Sequence, residues 1–303
     1  MTPALGLDLG ASGIRAWAPE LLEQVEIQAA APEVDRQQQA INLAREAQSK
    51  LSGISFDRVS LGLSGFNSLN VDHGQLAKEI SKIFDVSKVI LTSDMVTAHF
   101  AHFGNKDGIV AVVGTGTLFF GVSANKQARM DGLGATLGDY GSAYWLGHQG
   151  LRTAARSHEM NKPGILLDTL KSKFGEVQGW PKLFANGTLK TYEIAALSLD
   201  VSKAAIQGDE VAIGICNEAA MLIAESIETL SEKLNVSRVA ISGGVMKSEL
   251  IRSNLEKLLS DSGLEVETVS STSAQGSHQL AEQFSSERID FLEREKQLFR
   301  MDI

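Results

Sequence analysis

Residues 5–18, LGLDLGASGIRAWA, are apolar on both arms, turn through Gly-Ala-Ser-Gly, and carry a carboxylate, Asp8, inside the first arm. Two short apolar runs joined by small residues predict a strand, a tight bend and a second strand. The bend has almost no side-chain bulk, so an anion can come close to amide groups that point outward. Taken alone, such a bend is equally an ordinary hairpin. Asp8 is harder to dismiss. An unpaired carboxylate is costly to bury on a core strand, whereas two residues before a phosphate-holding bend it can hold a hydrated magnesium ion.

The plan recurs at residues 108–124, GIVAVVGTGTLFFGVSA, as strand, Gly-Thr-Gly-Thr bend and strand, which points to a duplicated architecture. Around the first copy, strands predicted at 4–9, 14–18, 59–63 and 89–92 alternate with helices near 36–51, 73–84 and 95–103. The second copy leads into a glycine-rich loop at 132–141, a helix over 142–157 and a helical middle over 165–234. A strand at 238–242, a Gly243-Gly244 turn, a helix at 247–259, a strand at 265–269 and a helix at 273–284 follow. This alternation predicts an α/β fold. The GNKDG turn at 104–108 divides it into a first domain, 1–107, and a second, 108–284. In the last segment Ile289, Leu292 and Phe299 fall at helical spacing, so 285–303 is expected to be a helix packing back on the domains.

The 303 residues suffice for two domains, and their composition, 43% hydrophobic and 21% charged, is that of a globular chain. No apolar run approaches the ~18 residues of a membrane helix. The opening MTPALGLDLG lacks a basic segment followed by an apolar one, so a cytoplasmic location is expected. Cys216 is the only cysteine, which excludes an internal disulfide and a multi-cysteine metal site; in its helical setting it reads as a small buried apolar residue. A formal charge of −9 opposes broad contact with nucleic acid or an anionic membrane. Any phosphate would therefore be held by backbone amides, a metal ion, or both. There is no G-x-x-x-x-G-K-[ST], and GLGATLG at 132–138 has the wrong spacing and polar flanks for a dinucleotide fingerprint. His99 and His102 lack metal-ligand spacing, and Tyr144 and Trp145 read as packing residues.

The segments GLDLGASGIRA, VILTSDMVTAHFA, VVGTGTLFFG, DGLGATLGDYGSAYWLGHQGL and VAISGGVMKSELI occur in the order seen in the sugar kinase, Hsp70 and actin superfamily. Within it the chain most resembles N-acetylglucosamine kinases of the BadF/BadG/BcrA/BcrD ATPase family. The resemblance runs from Leu5 to about Ala281. It implies two ribonuclease-H-like domains closing on ATP, with Mg2+ and a sugar in an interdomain cleft, and an ATP-dependent phosphorylation of a sugar hydroxyl, foremost the 6-hydroxyl of N-acetylglucosamine or a related hexose. By motif position, Gly10, Ala11 and Ser12 form the first phosphate bend, Thr115, Gly116 and Thr117 the second, and Gly243 and Gly244 the adenosine motif, which is otherwise a plain strand-to-helix turn. Asp8 holds magnesium through water. Asp94 matches the catalytic base, although Ser93 or Asp94 is also what a helix N-cap looks like. Asp139 resembles a sugar-binding aspartate and is alternatively the cap of the next helix. Ser64, Gly65 and Asn67 sit where the sugar is reached, or are a strand-end loop. A homodimer is also implied.

The chain departs from the family pattern at several points. Gly13 stands where a lysine or another polar residue is usual. Leu133 replaces a tryptophan and Tyr140 an acidic residue near the sugar aspartate, and residues 31–40, APEVDRQQQA, offer no match to an expected asparagine. The alternative reading is a catalytically silent member that senses sugar or nucleotide. An iron–sulfur activator of the same family would need two cysteines per chain, and Cys216 alone does not supply them.

Overall fold

The computed structural model describes residues 3–302, apart from 11–12, 22, 29–34, 52, 68–70, 186–188 and 268–270. Its elements in chain order begin with strands β1 (Ala4–Gly10), β2 (Gly13–Trp17) and β3 (Val25–Gln28), helix α1 (Arg36–Lys50), β4 (Arg58–Leu63), α2 (His73–Phe84), β5 (Lys88–Ser93) and α3 (Asp94–Phe103). Strands β6 (Gly108–Val113), β7 (Thr117–Ser123) and β8 (Lys126–Asp131) follow. Then come helices α4 (Ala143–Glu159), α5 (Ile165–Phe174), α6 (Pro181–Ala185), α7 (Thr191–Ala196), α8 (Ser198–Ile206) and α9 (Glu210–Leu234). The chain ends with β9 (Arg238–Ser242), α10 (Glu249–Asp261), β10 (Glu265–Glu267), α11 (Ser273–Glu282), α12 (Glu287–Arg294) and β11 (Leu298–Asp302). No described helix is long and apolar enough to cross a membrane.

The chain forms two compact units. One comprises residues 1–107, 122–127 and 270–303; the other comprises 108–121 and 128–269. The first is built on a six-stranded sheet of order β11-β5-β4-β1-β2-β3. Strands β1, β4 and β5 run parallel, while the β1–β2–β3 meander and β11 are antiparallel to their neighbours. Because strand residues alternate between faces, Leu5, Leu7 and Leu9 share a face with Leu61 and Leu63, and α1 and α2 cover it through Ala40, Ala44, Leu76 and Ile80. Burying each such leucine contributes about 2 kcal/mol. Gly6, Asp8, Ser60 and Gly62 occupy the other face, under α3 and α11.

That second face depends on missing side chains. A Cβ on Gly6 would lie 2.2 Å from the Ala274 carbonyl oxygen, and one on Gly276 would lie 1.9 Å from that of Thr97. With α11 this close, the Ser277 hydroxyl donates to the Ser60 carbonyl at 2.9 Å, and His278 Nδ1 lies 2.9 Å from the Ala4 carbonyl oxygen.

These contacts correct the expected domain limits. Residues 273–284 were expected in the second domain, yet α11 packs on β1, β4 and α3 of the first unit. The tail over 285–303 is not one helix: after α12 the chain reverses and β11 pairs with β5, Leu298 opposite Thr92 and Asp302 opposite Lys88. The strands β3 and β8 were also not expected.

The second unit has a five-stranded sheet, β10-β9-β6-β7-β8. Its core joins Ile109, Ala111, Val113 and Phe119 to apolar positions of α4, α8, α9 and α10. Cys216 is fully buried there, and burial pushes its thiol up to about 11, consistent with the apolar packing role expected of it. Gly243 gives way to a 3-10 turn, Gly244–Lys247, before α10 starts.

Gly276→Ala should therefore destabilise the chain by about 3 kcal/mol, the upper range for overpacking, because the added methyl meets backbone rather than a movable side chain. Gly214→Ala, exposed in α9 with open space around it, should instead stabilise by up to about 1 kcal/mol. Urea denaturation of both variants checks the pair; equal midpoints would overturn the packing argument.

Candidate active site

In the first unit, Asp8 lies on β1 opposite Gly62 of β4 and Arg15 of β2. It is 4% exposed. Gly62 leaves the room: a Cβ there would sit 2.5 Å from the Thr97 methyl and 3.0 Å from Asp8 Oδ1. The Thr97 hydroxyl, fully buried, is within reach of two acceptors, Asp8 Oδ1 at 3.2 Å and the Asp94 carbonyl at 2.9 Å. Arg15 Nη1 stands 3.9 Å from Asp8 Oδ2, while its Nε donates to Glu26 at 3.3 Å. Burial raises the Asp8 carboxyl to about 7; the nearby Asp94 charge adds to the rise, and Thr97 and Arg15 oppose it.

Asp94 is the first residue of α3, at the end of β5, and partly buried. The cap position belongs to Ser93, whose side chain makes no capping hydrogen bond. A carboxylate in a first helical turn is favoured by the helix dipole. The structure thus brings Asp8 and Asp94 into electrostatic contact with Thr97 linking them. Among the described residues no group of three or more His, Cys, Asp or Glu could hold a metal ion, so a cation here would keep water in its shell, as Mg2+ does.

Gly10 closes the hairpin opposite Gly13; Ala11 and Ser12 lie outside the described residues. Gly13, at φ +143°, admits no side chain, because a Cβ would lie 2.0 Å from the Ile27 carbonyl oxygen of β3. That accounts for the missing polar residue. The Ser64 N–H donates to the Leu9 carbonyl at 3.0 Å, which seats the 64–67 turn beside β1. The Ser64 hydroxyl accepts from Arg36 Nη2 at 3.2 Å, Gly65 takes φ +85°, and Asn67 is exposed. Phe66, buried between them, stacks on His73 with ring centroids 4.2 Å apart.

In the second unit, the bend at 114–117 is gripped by the start of α4. Ala143 N–H donates to the Gly114 carbonyl at 2.9 Å and Tyr144 N–H to the Thr115 carbonyl at 3.1 Å, satisfying helix-end donors that otherwise lack partners. The next, Trp145 N–H, donates to Ser142 Oγ at 3.0 Å, so Ser142 and not Asp139 caps the helix. With the bend carbonyls engaged, the N–H groups of Thr115 and Gly116 donate to no acceptor among the described residues. Two adjacent unengaged amides are what an anion requires. Thr117 differs from expectation. Its N–H donates to Asp139 Oδ1 at 3.0 Å and its hydroxyl to Asp131 Oδ2 at 2.7 Å.

Asp139 is 7% exposed, at φ +60°; burial raises its pKa, with Asp131 adding to the rise against the Thr117 amide. Gly116 must be glycine, since a Cβ would lie 2.4 Å from Asp139 Oδ1. Gly243, at φ +112°, presses on the end of β6, where a Cβ would be 2.2 Å from the Val113 carbonyl oxygen, while Gly244 faces open space. The paired glycines therefore lie beside the bend. Trp145 is buried, as expected of a packing residue, and His99 is fully buried, its pKa lowered to about 3 by burial. Thr97, Arg15, Arg36 and Asp131 were not among the expected site residues: Thr97, Arg15 and Asp131 lie inside segments that carry the resemblance but away from the positions matched to a role, Arg36 lies outside them, and only the cross-strand position of Arg15 follows from a hairpin register.

The BadF/BadG/BcrA/BcrD ATPase family model matches residues 5–277. An N-acetylmuramic acid/N-acetylglucosamine kinase of Clostridium acetobutylicum is 30% identical over 173 residues, 54% of this chain and 56% of that protein. The chain spans about half the length of the curated relatives it matches. A crystal structure described as a candidate N-acetylglucosamine kinase from Chromobacterium violaceum has a TM-score of 0.68 at 23% identity, covering 93% of this chain and 99% of that one. A ROK family glucokinase from Streptomyces griseus, in complex with glucose and AMPPNP, has a TM-score of 0.57 at 17% identity, covering 92% and 98%. At these identities the structural likeness speaks to the fold, a mixed α/β architecture with two sheets.

Asp8 also sets a pH dependence. Its carboxyl holds a proton more tightly folded than unfolded, so the stability this group contributes is complete at low pH and is lost as pH rises from about 4 through 7. Without added cation the loss amounts to at most about 4 kcal/mol. Asp8→Asn removes it. The variant should be more stable than the parent at pH 8, by a margin that narrows towards pH 5, measured by denaturant titration; a margin independent of pH would contradict the burial argument.

Proposed function

Because the chain belongs to the BadF/BadG/BcrA/BcrD ATPase family, we propose that it is an ATP-dependent sugar kinase. It would transfer the γ-phosphoryl group of ATP to a hydroxyl of an amino sugar or related hexose, foremost the 6-hydroxyl of N-acetylglucosamine. The observation that carries this reading is the pair of acids in the first unit, Asp8 on β1 and Asp94 at the start of α3, whose charges interact and whose carboxylate and main-chain carbonyl, respectively, both lie within reach of the Thr97 hydroxyl. The kinase descriptions of the matched proteins support it.

Each unit is read as a ribonuclease-H-like half of the enzyme. In the first, Asp94 accepts the proton of the sugar hydroxyl as its oxygen attacks phosphorus. A residue at a strand end on the first turn of a helix has its backbone fixed on both sides, which suits a base that must be aimed. Asp8 is the residue that would hold Mg2+ through water, and its donor chemistry and the adjoining Asp94 charge fit a hard cation. When bound, Mg2+ neutralises charge on the phosphate oxygens. The first bend, Gly10 with Ala11 and Ser12, and the unengaged amides of Thr115 and Gly116 bind phosphate oxygens. Gly243 and Gly244 accept the adenosine, and Ser64, Gly65, Asn67 and Asp139 face the sugar.

Steady-state ATP turnover against a panel of hexoses and amino sugars tests the reading. A sugar that raises turnover, and Asp94→Asn lowering kcat by about 10²- to 10⁴-fold with nucleotide affinity unchanged, are expected. If ATP binds and no sugar on the panel raises its turnover, the kinase reading fails.

A further inference from the structure

We propose that Asp131 is a positioning residue: through one carboxylate it fixes both the phosphate bend of the second unit and the backbone of Asp139. The inference rests on the kinase reading for its catalytic meaning, and on geometry alone for its structural content.

Asp131 is the last residue of β8, half-buried and at φ +61°, a left-handed conformation that aspartate tolerates better than most side chains. Its two oxygens take three donors. Oδ2 accepts from the Thr117 hydroxyl at 2.7 Å and from the Tyr140 N–H at 3.1 Å; Oδ1 accepts from the Asp139 N–H at 2.8 Å. The Thr117 N–H in turn donates to Asp139 Oδ1. The three residues close a ring of hydrogen bonds: Asp131 holds the Thr117 side chain, Thr117 holds the Asp139 carboxylate, and Asp139 returns its own N–H to Asp131. Two glycines make room, since a Cβ on Gly138 would lie 2.2 Å from Asp131 Oδ1 and one on Gly116 would lie 2.4 Å from Asp139 Oδ1.

Two consequences set this apart from ordinary loop closure. First, the ring fixes Thr117 immediately after the two unengaged amides, so a displacement of Asp131 is passed to the peptide groups that bind phosphate. Angstrom-scale misplacement of such donors is enough to cost about 100-fold in rate. Second, Asp139 is left with only Oδ2 outside the ring, so the ring selects which oxygen faces a sugar hydroxyl. The glycine-rich loop between the ring's ends is not gripped by it: Leu133 and Leu137 are 62% and 71% exposed.

The test uses the full chain in four forms: parent, Asp131→Ala, Asp131→Asn and, as a loop control, Leu137→Ala. Amide hydrogen exchange at Thr117, Asp139 and Tyr140 should speed up at least tenfold in Asp131→Ala and less in Asp131→Asn, which keeps one acceptor oxygen, and should not change in Leu137→Ala. In sugar-dependent turnover, Asp131→Ala should lower kcat about 100-fold and raise the sugar KM, Asp131→Asn should retain a tenth or more of the parent kcat, and Leu137→Ala should match the parent. Should Asp131→Ala not fold, Asp131→Asn carries both readouts. Unchanged exchange at those amides overturns the proposal, as does a folded Asp131→Ala with parental kcat and KM. Exchange requires no activity, so a parent without turnover defeats the kinase reading and leaves exchange to decide the ring.

Discussion

A carboxyl group held out of water on an inner strand is the constraint around which the first unit is arranged. Asp8 would be intolerable there without a donor, and the donor is the Thr97 hydroxyl. Thr97 reaches it only because Gly62 has no side chain and because α3 is held against the sheet. Helix α3 is in turn buttressed by α11, which approaches within backbone contact at Gly276. A helix from the far end of the sequence thus determines how a residue near its beginning is solvated. The raised pKa of Asp8 is the residue of that arrangement: the single shared hydroxyl and a distant guanidinium do not offset desolvation and the Asp94 charge. An acid left under-compensated in this way is one that gains from a cation.

The second unit solves the neighbouring problem by other means. The near side of its bend is oriented by peptide groups. The first two N–H groups of α4 engage the carbonyls of Gly114 and Thr115, and a peptide whose carbonyl is turned one way presents its N–H the other way. The Asp131–Thr117–Asp139 ring then fixes the far side of the turn. The two bends share a sequence plan, small residues between apolar strands, yet the first is closed by Gly13 lying on β3 and the second by a helix terminus and a carboxylate. Similarity of pattern carried the duplication but not the means of support.

The parts of the fold that were legible in the sequence are those set by local pattern. The alternation of Leu5, Leu7 and Leu9, the helix periods over α1, α2 and α4, and the glycine pairs at the bends are all short-range signals. What was not legible depends on partners far along the chain. Strand β11 was read as helix because Phe299 continues the spacing of Ile289 and Leu292; only pairing with β5, some two hundred residues away, makes it a strand. The edge strand β8 offers only Ala128 and Met130 as an apolar alternation, two positions among four polar residues, which is too short a signal to read. Helix α11 was given to the wrong half because its apolar face does not say which sheet it meets; Gly276 and Ser277 do, once the contacts are known. At the site, Asp94 and Gly243 stood in motifs, whereas Thr97 and Asp131 act through side chains whose partners are remote or across a turn.

The supporting residues also bear on how a chain of net charge −9 would accommodate a polyanion. Two arginines of the first unit are already committed: Arg15 lies between Asp8 and Glu26, and Arg36 serves Gln39 and Ser64. Backbone amides carry no net charge to be balanced elsewhere and need no side chain to be held still. They offer fixed dipoles to a phosphate without adding to the burial cost that Asp8 already imposes, but their direction is set by the peptide planes. Precision in those planes then matters more than the number of basic residues nearby. This is why the carboxylates that orient a bend deserve the same weight as the groups that would touch the substrate.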